Sequence, residues 1–345
     1  MWLTLVKRIE DGHAFTRGEA ESVMEELLGG GVETAEIVRL LVALNRRPLR
    51  VEELAGFADV MRRHAAAVFA AGEIAPEGMV DTCGTGGDGA ETFNISTAAA
   101  IVAAAGGARV AKHGNRASSS RSGSADVLEC LDVNIDVPLF TMGRAIREIR
   151  IGFLFARAAH AAARHAAPAR KEIGVRTVFN LLGPLTNPAG ARAQVLGVFS
   201  ADVIDVVAET LAELGVDRAL VVHGAGGLDE ISLLGETQIA DVRGGAVTRY
   251  VVAPEDFGVA RAPLEAIRGG SPEENAGILR GIFAGESGPR RDIVVINAAA
   301  ALLVAGAAGS LREGVSIAAT AVSSGAAMEK LEALREFTGA SRDPD

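Results

Sequence analysis

The chain predicts an α/β protein, with a large, mostly parallel sheet and flanking helices, plus a small all-helical domain. Three observations carry this. From Met79 onward, short β-type runs alternate with helical stretches, the signature of strands joined by crossover helices. Before about residue 70 only the 3.6-residue helical period is present. Composition agrees: in 345 residues there are 41 Gly and a hydrophobic fraction of 49%, but only 4% aromatics. That is enough apolar material for one large core or two smaller ones.

The helical segment comes first. Thr16-Arg-Gly-Glu19 has the spacing of a capping box, in which a hydroxyl and a carboxylate satisfy each other's free backbone N–H groups. Ala20, Val23, Met24, Leu27 and Leu28 then repeat at helical spacing, and Gly29–Gly31 stops the helix. Ile37, Leu40, Leu41 and Leu44 form a second stripe, which Pro48 ends. Leu54, Phe57, Ala58 and Met61 form a third. No cluster of chemistry-bearing residues falls here. The segment reads as a small bundle that packs on another domain or subunit.

The expected strands are Met79–Thr82, Ala108–Ala111, Ile151–Ala156, Gln194–Phe199, Ala219–Val222, Ala246–Val252 and Asp292–Ile296. Helices are expected between them, at Ser96–Ala105, Ala201–Leu214 and Pro272–Ala284, with Ser323–Phe337 closing the chain. The domains expected are therefore 1–70 and 75–345.

Four stretches carry chemistry. Gly84-Thr-Gly-Gly-Asp88 follows a strand, and Asn94-Ile-Ser-Thr97 opens an Ala-rich helix. Alone, GTGGD is equally an ordinary turn. Between a strand and a helix it offers a bare backbone and partly positive N–H groups to an anion. It is neither a Walker A loop nor a dinucleotide fingerprint. After the next strand, Lys112-His113-Gly114-Asn115-Arg116 precedes Ser118–Ser120 and Ser122-Gly-Ser-Ala-Asp126. A loop with a Lys, an Arg and several hydroxyls suits phosphate, and two such loops on consecutive strand ends lie where α/β sheets hold ligands. Gly227-Leu-Asp229-Glu230 is, by itself, most simply a solvated turn. Beside two anion loops, its paired carboxylates suit Mg²⁺. The stretch 153–174 contains His160, Arg164, His165, Arg170 and Lys171, and by itself reads as a basic helix face.

Other classes are disfavoured. A net charge of −10 without a long basic run argues against a nucleic-acid surface. Two cysteines, Cys83 and Cys130, make no disulfide framework and no metal cluster. The start, MWLTLVKRIEDGH, lacks a secretory apolar core, and the run 293–308 is broken by Asn297 and Gly306. A cytoplasmic protein without membrane contact is expected.

At these motifs the chain resembles the anthranilate phosphoribosyltransferases, of the nucleoside phosphorylase/phosphoribosyltransferase group. The matching residues are GTGGDG…NIST, KHGNR..SS.SGSAD, GFLFA…H…APARKE.GVRT.FNLLGPLTNP and HGA.GLDE.S, spread over nearly the whole chain. The resemblance implies a homodimer through the helical domain, with a mid-chain contribution to that domain from 170–188. It implies that Gly84, Gly87, Asp88, Thr92, Asn94, Ile95, Ser96, Thr97, Lys112, Ser118, Ser119, Ser120 and Ser124 hold phosphoribosyl pyrophosphate. Ser96, Asp229 and Glu230 would hold two Mg²⁺. Asn115 and Arg170 would face anthranilate, at Gly84, with His113 and His160 close by. The implied reaction is attack of the anthranilate amine on C1 of the ribose, with pyrophosphate leaving, in tryptophan biosynthesis.

An aromatic amine is neutral at pH 7, so no nucleophile or general base is required. Positioning by Lys112, Asn115 and Arg170 together with Mg²⁺ can supply the catalysis. Two places depart from the family pattern: Arg157 stands where Pro is usual after FLFA, and the HPAM-like run is HAAA, Ala161 to Ala163. Both lie beside His160, on the acceptor side. The competing expectations are a phosphoribosyltransferase for another aromatic amine, a pyrimidine nucleoside phosphorylase, and a non-catalytic nucleic-acid-binding relative.

Overall fold

The structure is a computed structural model that describes residues 2–117 and 120–339. Ser118 and Ser119 of the second anion loop, and the SRDPD tail, lie outside the described residues.

The N-terminal bundle is α1 (Trp2–Glu10), α2 (Arg17–Leu28), α3 (Thr34–Asn45) and α4 (Val51–Arg63). The capping box forms as spaced: Thr16 Oγ1 accepts from the Glu19 N–H at 3.3 Å, and the Glu19 carboxylate accepts from the Thr16 N–H at 2.9 Å. All three apolar stripes are buried.

Next come β1 (Met79–Gly84), α5 (Ile95–Ala105), β2 (Arg109–Gly114), α6 (Ser124–Cys130), α7 (Leu139–Glu148) and β3 (Ile151–Phe155). The chain then returns to the bundle through α8 (Ala156–Ala159), a 3₁₀ turn at Ala161–Ala166, α9 (Ala167–Ile173) and α10 (Val178–Leu185). Ala166, Ala169, Val178, Phe179 and Leu182 share one apolar cluster with Leu40 and Leu41 of α3 and Phe57 of α4. The sheet resumes with β4 (Ala193–Gly197), α11 (Ile204–Glu213), β5 (Arg218–Gly224), β6 (Thr237–Arg243) and β7 (Ala246–Val252), and α12 (Pro272–Phe283), α13 (Pro289–Val304), α14 (Leu311–Ser323) and α15 (Ala326–Gly339) follow.

Seven strands form one sheet in the order β3-β2-β1-β4-β5-β6-β7. β1 to β5 are parallel, and β6 and β7 are antiparallel additions at one edge. Alternation sends Val195, Leu220 and Val222 to a core shared with α5 and α13, while Leu196, Ala219 and Val221 face a core shared with α11 and the bundle. Strand order reverses between β1 and β4. At such a switch point the loops leaving the carboxyl ends diverge and leave a crevice. No helix among the described residues is long and apolar enough to cross a membrane.

Four expectations are corrected. Asp292–Ile296 is not a strand but part of the 16-residue helix α13, which opens with Pro289. α13 is buried on nearly every side, so its apolar residues show no helical period and its Ile/Val run imitates a strand. The antiparallel strand β6 was not expected. Ser323 ends α14, and the closing helix begins only at Ala326, after Gly325 at φ +84°. Lys112 and His113 are not loop residues: both lie in β2 with their side chains buried.

Candidate active site

Three neighbouring parallel strands, β1, β4 and β5, end in glycine: Gly84, Gly197 and Gly224. Gly84 and Gly197 are register partners across the switch point. A Cβ on Gly84 would lie 2.2 Å from Asp229 Oδ2, one on Gly197 1.5 Å from the Asp229 carbonyl oxygen, and one on Gly224 2.5 Å from the Glu230 carbonyl oxygen. No real side chain tolerates these distances. The bare strand ends form a shelf, and the acidic segment 228–231 lies on it.

The segment is fastened at both sides. Asp229 Oδ2 accepts the Gly86 N–H at 2.8 Å, which joins it to the glycine loop. Asn297 of α13 accepts the Ile231 N–H and donates to the Ile231 carbonyl, both at 2.9 Å. Burial, and then the charge of Asp88, push the Asp229 carboxyl up to about 7. Burial and the charge of Asp229 push Glu230 well above the usual carboxylate range, against the pull of Lys112. Lys112 donates to the Thr82 carbonyl and, at 3.4 Å, to Ser96 Oγ. Burial lowers its pKa, and the charge of Asp81 opposes this.

The charges of Asp81, Glu230 and Asp229 thus all act on the buried Lys112. Among the described residues no group of three or more His, Cys, Asp or Glu side chains is arranged to hold a metal ion unaided. A hard cation here would complete its shell with water and ligand oxygens, which is how Mg²⁺ is ordinarily bound. Ser96, whose Oγ accepts from Lys112, and the pair Asp229 and Glu230 fit that requirement.

The anion loops meet above this shelf. Gly86, Gly87 and Gly89 have φ of +64°, +75° and +74°, which glycine adopts without strain. Asn94 caps α5 by position, but its amide ties the two loops together. It donates to the Ser122 carbonyl at 3.1 Å and accepts from Ser122 Oγ and Asn275 Nδ2, both at 3.0 Å. Ile95 is buried and donates its N–H to Phe93. The buried Thr97 hydroxyl has no partner, and Thr92 bridges Arg268 in an isolated β-pair. Ser124 Oγ donates to the Asn115 carbonyl at 3.2 Å, and Ser120 is exposed. Arg116, read from the sequence as a phosphate cation, is engaged elsewhere, with Asp126 and Glu129 of α6.

On the other side the Asn115 side chain is exposed. The Arg170 guanidinium lies 5.4 Å above the Phe179 ring, half-buried, and has no carboxylate partner among the described residues. Burial lowers its pKa. His113 and His160 pack edge to face, 5.2 Å between ring centres. His113 bonds the Gly183 carbonyl at 3.2 Å and His160 the Thr186 carbonyl at 2.9 Å. Burial and the neighbouring His160 bring His113 down to about 3, and burial also lowers His160. Both rings are neutral at pH 7, so they can shape a wall but cannot hold a carboxylate by charge. Ala161–Ala163 form part of the 3₁₀ turn, and Arg157 is exposed.

Residues 76–328 match the family model described as glycosyl transferase family, a/b domain, and residues 3–65 match its helical bundle domain. The anthranilate phosphoribosyltransferase of Symbiobacterium thermophilum is 49% identical over 334 residues, covering 97% of each chain. That of Rubrobacter xylanophilus is 51% identical, covering 95% of this chain and 94% of its own. The crystal structure of the Thermus thermophilus anthranilate phosphoribosyltransferase superposes with a TM-score of 0.91 at 48% identity, over 97% of this chain and 99% of that one. The chain belongs to the anthranilate phosphoribosyltransferase family. The Saccharomyces cerevisiae enzyme in complex with PRPP and Mg has a TM-score of 0.89 at 27% identity, covering 98% of both chains.

Within this family site, sequence reasoning missed three elements. Gly197 lay inside the expected run 194–199 and Gly224 just beyond the run 219–222, so neither was marked as a strand end, and what they make room for is distant in sequence. Asn297 was noted as a break in an apolar run. In the fold it is a buried clamp on the acidic segment. Arg176, between α9 and α10, lay in the matching GVRT stretch but was given no role, yet its Nη2 donates to the Gly87 carbonyl at 2.6 Å.

Proposed function

We infer that the chain transfers the phosphoribosyl group of 5-phosphoribosyl 1-pyrophosphate to the amine of anthranilate. The products are N-(5-phosphoribosyl)anthranilate, for tryptophan biosynthesis, and pyrophosphate. The observation that carries this is the shelf of glycine strand ends, which sets Asp229 and Glu230 against the glycine loop. Half-buried carboxylates facing an anion loop call for a cation between them, and a pyrophosphate donor with Mg²⁺ provides it. Relatives from Saccharomyces cerevisiae are solved with PRPP and Mg and with 4-fluoroanthranilate, which supports the same substrates and metal here.

Two Mg²⁺ are assigned to Ser96, Asp229 and Glu230. The donor is assigned to Gly84, Gly87, Asp88, Thr92, Asn94–Thr97, Lys112 and Ser124, with Ser118–Ser120 carried by motif alone. Mg²⁺ would neutralise the leaving pyrophosphate. Lys112 adds a fixed positive charge beside the leaving group, and the loop N–H groups hold the phosphates without reorganisation. Anthranilate is assigned to Asn115 and Arg170, at Gly84, with His113 and His160 as neutral walls. An unpaired guanidinium suits bidentate capture of its carboxylate and leaves the neutral amine to attack C1.

We further assign 1–70 with 170–188 to a helical domain and 75–345 to the α/β domain. α9 and α10 pack in the bundle's core, which supports the first boundary. A homodimer through the bundle is supported by exposed Leu3 on α1 and Val175 after α9. A cytoplasmic location fits the unpaired Cys83 and Cys130.

The deciding assay is loss of anthranilate fluorescence with phosphoribosyl pyrophosphate and Mg²⁺. Product should form only with all three components. Phosphorolysis of uridine or thymidine, or preference for another aromatic amine, would overturn the assignment. Arg170→Ala should raise the anthranilate KM by about tenfold or more, because it removes a charged hydrogen-bond partner from a half-buried place. The donor KM should change much less, and an equal rise in both would remove Arg170 from the acceptor site.

A further inference from the structure

Arg176 belongs to the short link between α9 and α10, but it touches three parts of the molecule. Its carbonyl accepts from Asn45 Nδ2, at the end of α3, at 2.7 Å. Its guanidinium lies 4.3 Å above the Phe199 ring, just beyond β4. Its Nη2 donates to the Gly87 carbonyl at 2.6 Å. The Phe199 N–H in turn donates to Thr85 Oγ1 at 3.1 Å, so ring and loop are joined as well. Gly87 has φ +75°, and a Cβ there would come within 3.3 Å of Arg176 Nε. The glycine thus gives the loop its left-handed turn and leaves the surface on which the guanidinium rests.

The C=O and N–H of one trans peptide point in opposite directions. A Gly87 carbonyl drawn to Arg176 therefore turns the Asp88 N–H away from it, and that N–H has no backbone partner among the described residues. An uncommitted N–H on a glycine loop is the group an anion needs. An Arg can stack on the ring and donate in a fixed fork at the same time, whereas a Lys lacks the planar fork.

We propose that Arg176 is a positioning residue that holds the glycine loop in its anion-binding conformation and couples that conformation to the place of the helical bundle. This rests on the assignment of the glycine loop to the pyrophosphate donor. It adds a residue that acts through the Gly87 carbonyl and is joined to the bundle at Asn45. The loop and the end of α3 are thereby tied through one residue, whose side chain holds Gly87 and whose carbonyl accepts from Asn45.

The test compares the unaltered chain with Arg176→Ala and Arg176→Lys. The variant Arg176→Ala should raise the KM for phosphoribosyl pyrophosphate about tenfold and leave that for anthranilate within about twofold, the size expected for losing one charged hydrogen bond. Backbone hydrogen exchange in the 84–91 segment should speed up in the same variant, while Tm stays within about 2 °C because the side chain is exposed. Arg176→Lys should recover only part of either effect. Unchanged exchange in 84–91, an equal rise in both KM values, or full recovery by Lys would each overturn the proposal. The exchange measurement needs no turnover, so it decides the matter even if the unaltered chain makes no product, a result that would sink the assigned activity instead.

Discussion

Asp229→Asn combined with Glu230→Gln should reduce turnover on the order of 10³-fold or more and leave the metal-free protein no less heat-stable. The loss follows from removing both carboxylates of the segment that faces the glycine loop. The stability follows from their electrostatics. Asp229 binds its proton more tightly in the folded protein, at about 7, than at its ordinary value of 3.8. Below that ordinary value both folded and unfolded chains are protonated, and the group has no effect. As pH rises toward 7 the unfolded chain ionises first, so metal-free stability falls, and above about 7 the penalty is fully present. Glu230 is raised also and acts in the same direction. The unaltered protein without metal should therefore melt lower at about pH 8 than at about pH 5, more steeply than the double variant, and added Mg²⁺ should raise Tm at pH 8 only where the carboxylates remain. Full Mg²⁺-dependent activity in the double variant would end the metal assignment. A large fall in its Tm would show that the carboxylates serve the fold instead.

Gly197→Ala should abolish activity and lower Tm on the order of 5 °C, as overpacking against main-chain atoms costs about 3 kcal/mol. The new Cβ would stand 1.5 Å from the Asp229 carbonyl oxygen and 2.3 Å from its carbon. These are backbone atoms, so no rotamer change relieves the contact. Either β4 shifts or the acidic segment lifts off the strand ends, and both move the carboxylates. Gly277→Ala is the matched control. It lies exposed inside α12 with nothing within 4 Å of its Cβ, so the change should be neutral or stabilising by up to about 1 kcal/mol. Ordinary activity in Gly197→Ala would mean that the shelf does not place the carboxylates.

Much of the fold was legible because it is local. The Thr16–Glu19 capping box and the apolar stripes of α2 to α4 are set by spacing along one element. The parallel strands that carry the site are buried runs that close with Gly in the fold, and six of the seven expected strands exist, five with shifted ends and Ala246–Val252 with the bounds expected. What failed had lost its local pattern. α13 is buried on nearly all sides and shows no period. β6 is a seven-residue strand in which Gln238, Asp241 and Arg243 interrupt the apolar run, and its pairing with β5 and β7 comes from tertiary contact.

By itself the sequence determined the α/β class and the bundle, two anion-type loops with a carboxylate pair, and the family they match. Those are properties of residue type and short-range spacing. Only the tertiary structure decided how the parts meet. It placed Lys112 inside a strand, beneath the loops and bonded to Ser96, and turned Arg116 away to α6. It laid Asp229 and Glu230 on three glycine ends drawn from β1, β4 and β5. It also brought Asn297 to the acidic segment and Arg176 to the glycine loop, across separations of 66 and 89 residues. Such contacts leave no periodic trace, because each is made by one side chain whose partner is chosen by sheet order and packing and not by its neighbours in the chain.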